Sequence, residues 1–296
     1  MHDRTFARTS LLTVSPPSDL PQQVERALSE DIGTGDLTAA LIPADRGGRA
    51  SVITRESAII CGRPYVDACF ARIDPRVRIE WRTQEGSLAQ PDQLLFTLEG
   101  PARALLTGER TALNFLQLLS GTATAAHAFA QLLEGTDCRL LDTRKTIPGL
   151  RSAQKYAVRV GGGQNHRLGL FDGILIKENH IMAAGSIALS VAAARRGTVG
   201  IPVEVEVESL DELRQAIAAG ADIAMLDDFS VPAMASAVQV NRASARPIKL
   251  EASGGVTLAG IRDIAATGVD YISVGSITKH LRAIDLSMRF EAQAPI

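Results

Sequence analysis

From Gly135 to the C-terminal region the chain alternates short apolar runs with helical segments, and no other feature restricts its fold as much. The runs are Cys138–Leu141, Gly173–Ile176, Val203–Val207, Ile223–Leu226, Ile248–Ala252 and Tyr271–Val274. Between them, Ile187–Ala194, Leu210–Ala219, Pro232–Asn241 and Leu258–Ala266 carry apolar residues at helical spacing. Strands separated by helices cannot pair as hairpins, so the pattern predicts a parallel sheet closed or nearly closed as a β/α barrel. Six strands are legible where a complete barrel has eight. The missing ones are either unreadable, supplied from elsewhere, or absent.

The preceding half has a different grammar. Leu20, Val24, Ala27 and Leu28 predict a helix from Leu20 to about Glu30, followed by the glycine-punctuated loop Asp31–Asp36. Short strands are expected at Gly48–Thr54, Ser57–Cys61, Val77–Trp81 and Gln93–Glu99, forming a small antiparallel sheet. Residues 103–120 and 122–134 read as two helices broken at Gly121. The expected organisation is a tail over residues 1–19 whose order is left open, an N-terminal α+β domain over 20–134, and an incomplete β/α barrel over 135–296. Some of the 20–134 helices and the extreme C-terminus are allowed to pack across that division.

Composition sets limits on function. The chain has 296 residues, 46% hydrophobic and 22% charged, enough to bury a large core. A formal net charge of −2 argues against a nucleic-acid or membrane-surface binder, which carries a basic excess. Cys61, Cys69 and Cys138 are odd in number and lack metal-site spacing, so free thiols in a reducing compartment are expected, by default the cytoplasm. The apolar stretch Leu11–Val14 ends at Ser15-Pro16-Pro17, too short for an export signal. No run approaches the ~20 apolar residues that span a bilayer.

The charged residues cluster where barrel chemistry sits. Arg144, Lys145, His166, Arg167 and Lys177 follow strands or lie in a glycine-rich loop, where several donors can aim at one polyanion. Lys145, Lys177, Glu206, Asp227 and Ser253 fall at C-terminal strand ends, the face that builds barrel active sites. Two glycine corners, Ser253-Gly254-Gly255 and Gly275-Ser276, follow late strands, where backbone N–H groups bind phosphate. In Val203–Glu208, period two sets Glu204, Glu206 and Glu208 opposite three valines, and the same alternation groups Lys249, Glu251 and Ser253. That face is either solvated at a sheet edge or points into a lumen, where charges need partners or a metal. In a lumen, Lys249 and Glu204 are expected to pair. Taken singly, each residue has a plainer role: Lys177 as a solvated lysine rather than a Schiff-base nucleophile, Asp227 and Asp228 as helix caps, His166 and Arg167 as loop residues. His180 is left undecided.

Several ordered motifs resemble the quinolinate phosphoribosyltransferase family over about residues 22–290. They are Glu30–Thr38, Gly108–Leu116, Asp142–Thr146 with Pro148-Gly149, Gln154–Ala157, Gly161–Gly163 with Asn165–Arg167, and Leu175–His180. Asp228 stands where the family has Asn, and Ser276 where it has Ala. The resemblance implies a type II phosphoribosyltransferase-like fold. It implies transfer of phosphoribose from phosphoribosyl pyrophosphate to quinolinate, giving nicotinate mononucleotide, pyrophosphate and carbon dioxide in NAD synthesis, with Mg²⁺. It assigns the acceptor to Arg110, Arg144, His166, Arg167 and Lys177, and the 5-phosphate to Ser253, Gly254, Gly255, Val274, Gly275 and Ser276, with Thr143 beside the substrates. It gives Glu206 and Asp227 the ribose hydroxyls and Mg²⁺, directly or through substrate. Lys145 and Lys177 face the leaving pyrophosphate, and these four are the expected catalytic residues. A homodimer, or a higher oligomer, is implied, with Arg110 supplied in trans. Three rivals remain at this point: a paralogous transferase for another carboxylated base, a Schiff-base aldolase on Lys177, and a barrel that only binds phosphorylated metabolites.

Overall fold

The computed structural model describes residues 14–197 and 200–291. The tail expected over residues 1–19 therefore lies, up to Thr13, outside the described residues. Chain order runs α1 (Leu20–Ile32), β1 (Gly47–Thr54), β2 (Ala58–Ile59), α2 (Arg63–Ile73), β3 (Arg78–Trp81), β4 (Leu88–Ala89), β5 (Leu94–Pro101) and α3 (Ala102–Leu132). It continues with β6 (Arg139–Leu141), α4 (Arg151–Val160), β7 (Ile174–Ile176), α5 (Glu178–Ala184), α6 (Ile187–Gly197), β8 (Val203–Val207), α7 (Leu210–Ala219) and β9 (Ile223–Asp227). It ends with α8 (Val231–Arg242), β10 (Lys249–Ser253), α9 (Ile261–Ala266), β11 (Tyr271–Ser273), α10 (Ser276–Lys279) and β12 (Leu286–Phe290).

Six strands form one parallel sheet in the order β6-β11-β10-β9-β8-β7. Among the described residues no further strand joins it, so the strands not legible in the sequence are absent and the barrel stays open between β6 and β7. A loop fills part of that opening. Gln164 N–H donates to Leu140 O at 2.8 Å and Asp142 N–H donates to Gln164 O at 3.1 Å, a single bridge on the free side of β6. Period two then sorts β8: Val203, Val205 and Val207 enter the core against the helices, while Glu204 and Glu206 face the interior.

The second sheet is antiparallel, ordered β12-β1-β5-β3. Its outer strand β12 comes from the C-terminal end, where the sequence pattern predicts no strand. Ala50 to Thr54 pair with Phe290 to Leu286, so the chain returns to the N-terminal unit after completing the barrel. The strand expected at Ser57–Cys61 shrinks to two paired residues, with Ile60 and Cys61 buried instead beside α3.

Residues 102–132 are one helix, not two. Gly121 lies well inside α3, and it is there for close approach rather than as a break, since a Cβ would stand 2.2 Å from Arg282 O. Glycine costs about 1 kcal/mol of helix propensity relative to alanine, which the packed backbone offsets. The same helix serves both cores. Leu105 to Ala123 pack with the N-terminal sheet and α2, and Ala126 to Phe129 pack under the barrel. The three cysteines are buried and free. No helix among the described residues is long and apolar enough to cross a membrane.

Candidate active site

A cavity of about 270 Å³ opens at the C-terminal ends of the barrel strands. Thr143, Arg144 and Lys145 reach it from the turn after β6, His166 and Arg167 from the loop that fills the barrel opening, and Lys177 from the end of β7. Glu206, Asp227 and Ser253 complete the rim from β8, β9 and β10. The residues grouped by strand-end position in the sequence thus line one space.

Two of its cations are held against each other. Arg167 is depressed first by burial and then by the neighbouring Arg144, and its Nη1 donates to Gly173 O at 3.2 Å. Arg144 Nε is buried and meets no acceptor. Adjacent guanidiniums with unused donors are a receptor for paired carboxylates, because a dianion removes their repulsion and fills both forks. Lys177 contacts Glu206. Lys145 is exposed, and its backbone is pinned: its N–H donates to Thr143 Oγ1 at 3.1 Å and its carbonyl accepts from Thr278 Oγ1 at 2.8 Å.

The glycine corners flank this cavity. Gly254 has φ +98, and a Cβ there would fall 1.9 Å from Asp228 Oδ1, so glycine is needed both for conformation and for space. Asp228 itself adopts φ +51, a left-handed conformation that Asp tolerates as Asn does. A Cβ on Gly275 would lie 3.1 Å from Lys145 Cδ and 3.4 Å from Thr143 Oγ1. Val274 is buried behind it, and Ser276 opens α10.

The expected Lys249–Glu204 pair does not form. Lys249 does not enter the lumen: as the first residue of β10 it stands at the open lower end, 58% exposed, with Nζ 2.5 Å from Asp270 Oδ1. Its alternation partner Glu251 does face inward. Glu204 meets His166 instead, Oε2 to Nε2 at 2.8 Å. Arg110 is exposed on α3 and does not line the cavity of its own chain. His180 caps the start of α5 by accepting the Lys177 N–H on Nδ1 at 3.0 Å.

A buried network beneath the rim joins residues of three of the ordered motifs, and nothing in the sequence pattern shows that they pair. Lys155 Nζ on α4 lies 2.5 Å from Asp142 Oδ1, both side chains essentially inaccessible. Burial pushes the Asp142 carboxyl up and the Lys155 ammonium down, and each partner counters the shift. Asp142 also accepts from Asn165 Nδ2 at 2.6 Å and His166 N at 2.9 Å. Gln154 holds the rim turn, accepting from Ile147 N and donating to Thr278 O. Apart from those motifs, the signal for burial is a polar pair, Gln154-Lys155, on a helix whose neighbours Ala153 and Ala157 are buried.

Comparison with known proteins shows the family. The quinolinate phosphoribosyl transferase N-terminal domain matches residues 36–120, and the C-terminal domain of the same family matches residues 122–289. The probable nicotinate-nucleotide pyrophosphorylase (carboxylating) of Bacillus subtilis is 42% identical over 260 residues, covering 88% of this chain and 89% of that one. The nicotinate-nucleotide pyrophosphorylase (carboxylating) of Mycobacterium leprae is 42% identical over 272 residues, 90% of this chain and 95% of that one. Among solved structures, the nicotinate-nucleotide pyrophosphorylase of Francisella tularensis superimposes with a TM-score of 0.89 at 48% identity, covering 96% of this chain and 100% of that one. On matches of this extent to both of its domains, the chain belongs to the quinolinate phosphoribosyltransferase family.

Proposed function

We propose that the barrel mouth transfers phosphoribose from phosphoribosyl pyrophosphate to quinolinate with loss of carbon dioxide, and that Mg²⁺ and a second subunit complete the site. The observation that carries this reading is the cavity itself: Arg144 and Arg167 side by side, Lys145 and Lys177 nearby, and two carboxylates on the facing strands. No neutral or cationic substrate needs that arrangement.

Arg144 and Arg167 take the two ring carboxylates and orient the pyridine nitrogen toward C1 of the donor ribose. The loops at Ser253–Gly255 and Val274–Ser276 offer backbone N–H groups to the 5-phosphate. As the nitrogen–C1 bond forms, the C1–pyrophosphate bond breaks, and Lys145 and Lys177 stabilise the departing charge. Positioning and electrostatics carry such a step, since it needs no protein nucleophile. The quaternary nitrogen then accommodates the electron pair left on the adjacent carbon when carbon dioxide leaves, and that carbon takes up a proton.

Glu206 and Asp227 are hard oxygen donors facing the donor side, a set that suits Mg²⁺. They would hold the ion, which would supply positive charge toward the pyrophosphate oxygens. Asp227→Asn should weaken binding of phosphoribosyl pyrophosphate and raise the Mg²⁺ requirement while leaving quinolinate affinity close to wild type. Calorimetry that found quinolinate affinity lost and donor affinity intact would overturn the assignment.

A homodimer is supported by apolar surface on both units of the chain. Leu37 and Leu41 near the N-terminal sheet are strongly exposed, as are Leu170, Phe171 and Met182 around the barrel mouth. An isologous contact covers one set with the other and carries Arg110 to the partner's cavity. The cytoplasm is the compartment in keeping with three free, buried thiols.

A further inference from the structure

Two acidic side chains beneath the cavity have no place in the transfer chemistry. Glu251 is fully buried on β10 and Glu204 is nearly so on β8. Both oxygens of Glu251 and Oε1 of Glu204 are buried without a well-formed hydrogen bond, and the Ser273 hydroxyl is the donor beside Glu251. His166 stands between them, its Nε2 2.8 Å from Glu204 Oε2 and 3.5 Å from Glu251 Oε2.

The imidazole is committed on both sides. Nδ1 accepts the Arg167 N–H at 2.8 Å, so it carries no hydrogen, and the ring hydrogen sits on Nε2 and is donated to Glu204. Neither nitrogen is left to meet a substrate. The backbone of His166 is equally fixed, its N–H on Asp142 and its carbonyl accepting from Lys155 Nζ at 2.9 Å. The next residue in the chain is Arg167.

We propose that Glu204 and Glu251 are positioning residues for the acceptor: through the His166 ring they lock the 165–167 segment and so fix where the Arg167 guanidinium stands against Arg144. The proposal rests on the barrel mouth being the quinolinate site. Two guanidiniums repel, and Arg167 has one hydrogen bond, to a backbone carbonyl, with the charges of Glu204 and Asp172 countering the repulsion but fixing no direction, so their spacing is imposed from behind. A spacing matched to adjacent carboxylates selects a dicarboxylated ring over a monocarboxylated one.

Two ionised carboxylates cannot share a dry site whose donors are one imidazole N–H and the Ser273 hydroxyl. Burial, and then Glu204, push the Glu251 carboxyl well up, so Glu251 closes the chain as a neutral acid. The other charged or titratable groups around it are Asp142 at the end of β6, Tyr271 on β11, Arg167 in the loop and Asp227 on β9. Asp142 reinforces the effect. A divalent metal is the competing occupant, since the three donor atoms lie within 4.8 Å of one another. Metal on Nε2 requires the hydrogen on Nδ1, where it would collide with the Arg167 N–H already donated there.

The test compares Glu251→Gln, Glu251→Ala and Glu251→Met in the full-length protein, with KM for quinolinate and for phosphoribosyl pyrophosphate measured separately. Gln can donate its amide to Glu204 and should restore most of what Ala loses. Ala and Met should raise the quinolinate KM on the order of 100-fold, the cost of misplacing a substrate-orienting group by about 1 Å, with the donor KM close to wild type. Met fills the space and guards against collapse of the Ala variant, and thermal melts on the same samples establish folding. Equal effects on both substrates, wild-type behaviour of Met, or a stoichiometric metal in the purified wild type that Glu251→Ala loses would each overturn the proposal. Failure of the underlying reading is separate, because it would appear as wild-type protein that does not use quinolinate.

Discussion

Lys155→Met isolates the buried pair that carries the loop of the active site. The ammonium is 1% exposed and Asp142 is 0% exposed, so neither is screened by water. Methionine keeps the apolar stem and nearly the volume, and the loss is therefore the charge and its two hydrogen bonds, to Asp142 Oδ1 and His166 O. Breaking a buried pair from one side costs about 3–5 kcal/mol. Asp142 keeps the donors from Asn165 and His166, which places the expected loss toward the lower end, about 3 kcal/mol. Asp142→Asn added to Lys155→Met removes the stranded charge, so the double variant should recover at least about 1 kcal/mol relative to the sum of the singles. Lys249→Met is the control: its pair with Asp270 is largely in water and should cost less than about 1 kcal/mol. Urea unfolding measures all four, with shifts in midpoint at constant m. Additive losses in the double variant, or equal losses at Lys155 and Lys249, would refute the reasoning.

Gly121→Ala should destabilise by about 1–3 kcal/mol despite alanine's better helix propensity, because the new Cβ meets the Arg282 carbonyl; a rise in Tm would show that the helix has room there. Because the folded state holds the Glu251 hydrogen well above the ordinary value of 4.5, stability is full below that value and falls as pH rises toward the folded one, by up to about 1.4 kcal/mol per pH unit. Glu251→Gln should flatten this slope above the ordinary carboxylate value, and parallel Tm-against-pH curves would contradict it. Arg110→Ala and Lys177→Ala should each be inactive alone, while mixing them with subunit exchange should return about a quarter of wild-type activity, since one site of each heterodimer carries neither change. No recovery after demonstrated exchange would place Arg110 in its own chain's site or in none.

The barrel strands were legible because each lies in a short, mostly apolar run flanked by polar turns, and Leu210–Ala219 matched residue for residue because its ends are marked: Ser209 caps its start, accepting from Glu212 N, and Gly220 ends it. Long-range effects were not legible. Gly121 has the form of a helix break, and only the backbone of Arg282, far along the chain, explains why a glycine lies within a continuous helix. Strand β12 is specified by pairing with β1 rather than by its own pattern. Lys249 and Glu251 alternate correctly, yet period two says nothing about where along the barrel axis each falls, and the strand's first residue reaches water while its third does not. Asp142, Lys155 and His166 acquire their meaning only when α4 and the 164–167 loop converge on the end of β6.

Whether one coupled reaction takes place at the barrel mouth is tested most directly by incubating the purified protein with quinolinate, phosphoribosyl pyrophosphate and Mg²⁺ and quantifying all three products. Nicotinate mononucleotide, pyrophosphate and carbon dioxide should form in equal amounts, and nicotinate offered in place of quinolinate should yield none. Binding of the donor without pyrophosphate release, or transfer to nicotinate as readily as to quinolinate, would contradict a site built for a dicarboxylated ring.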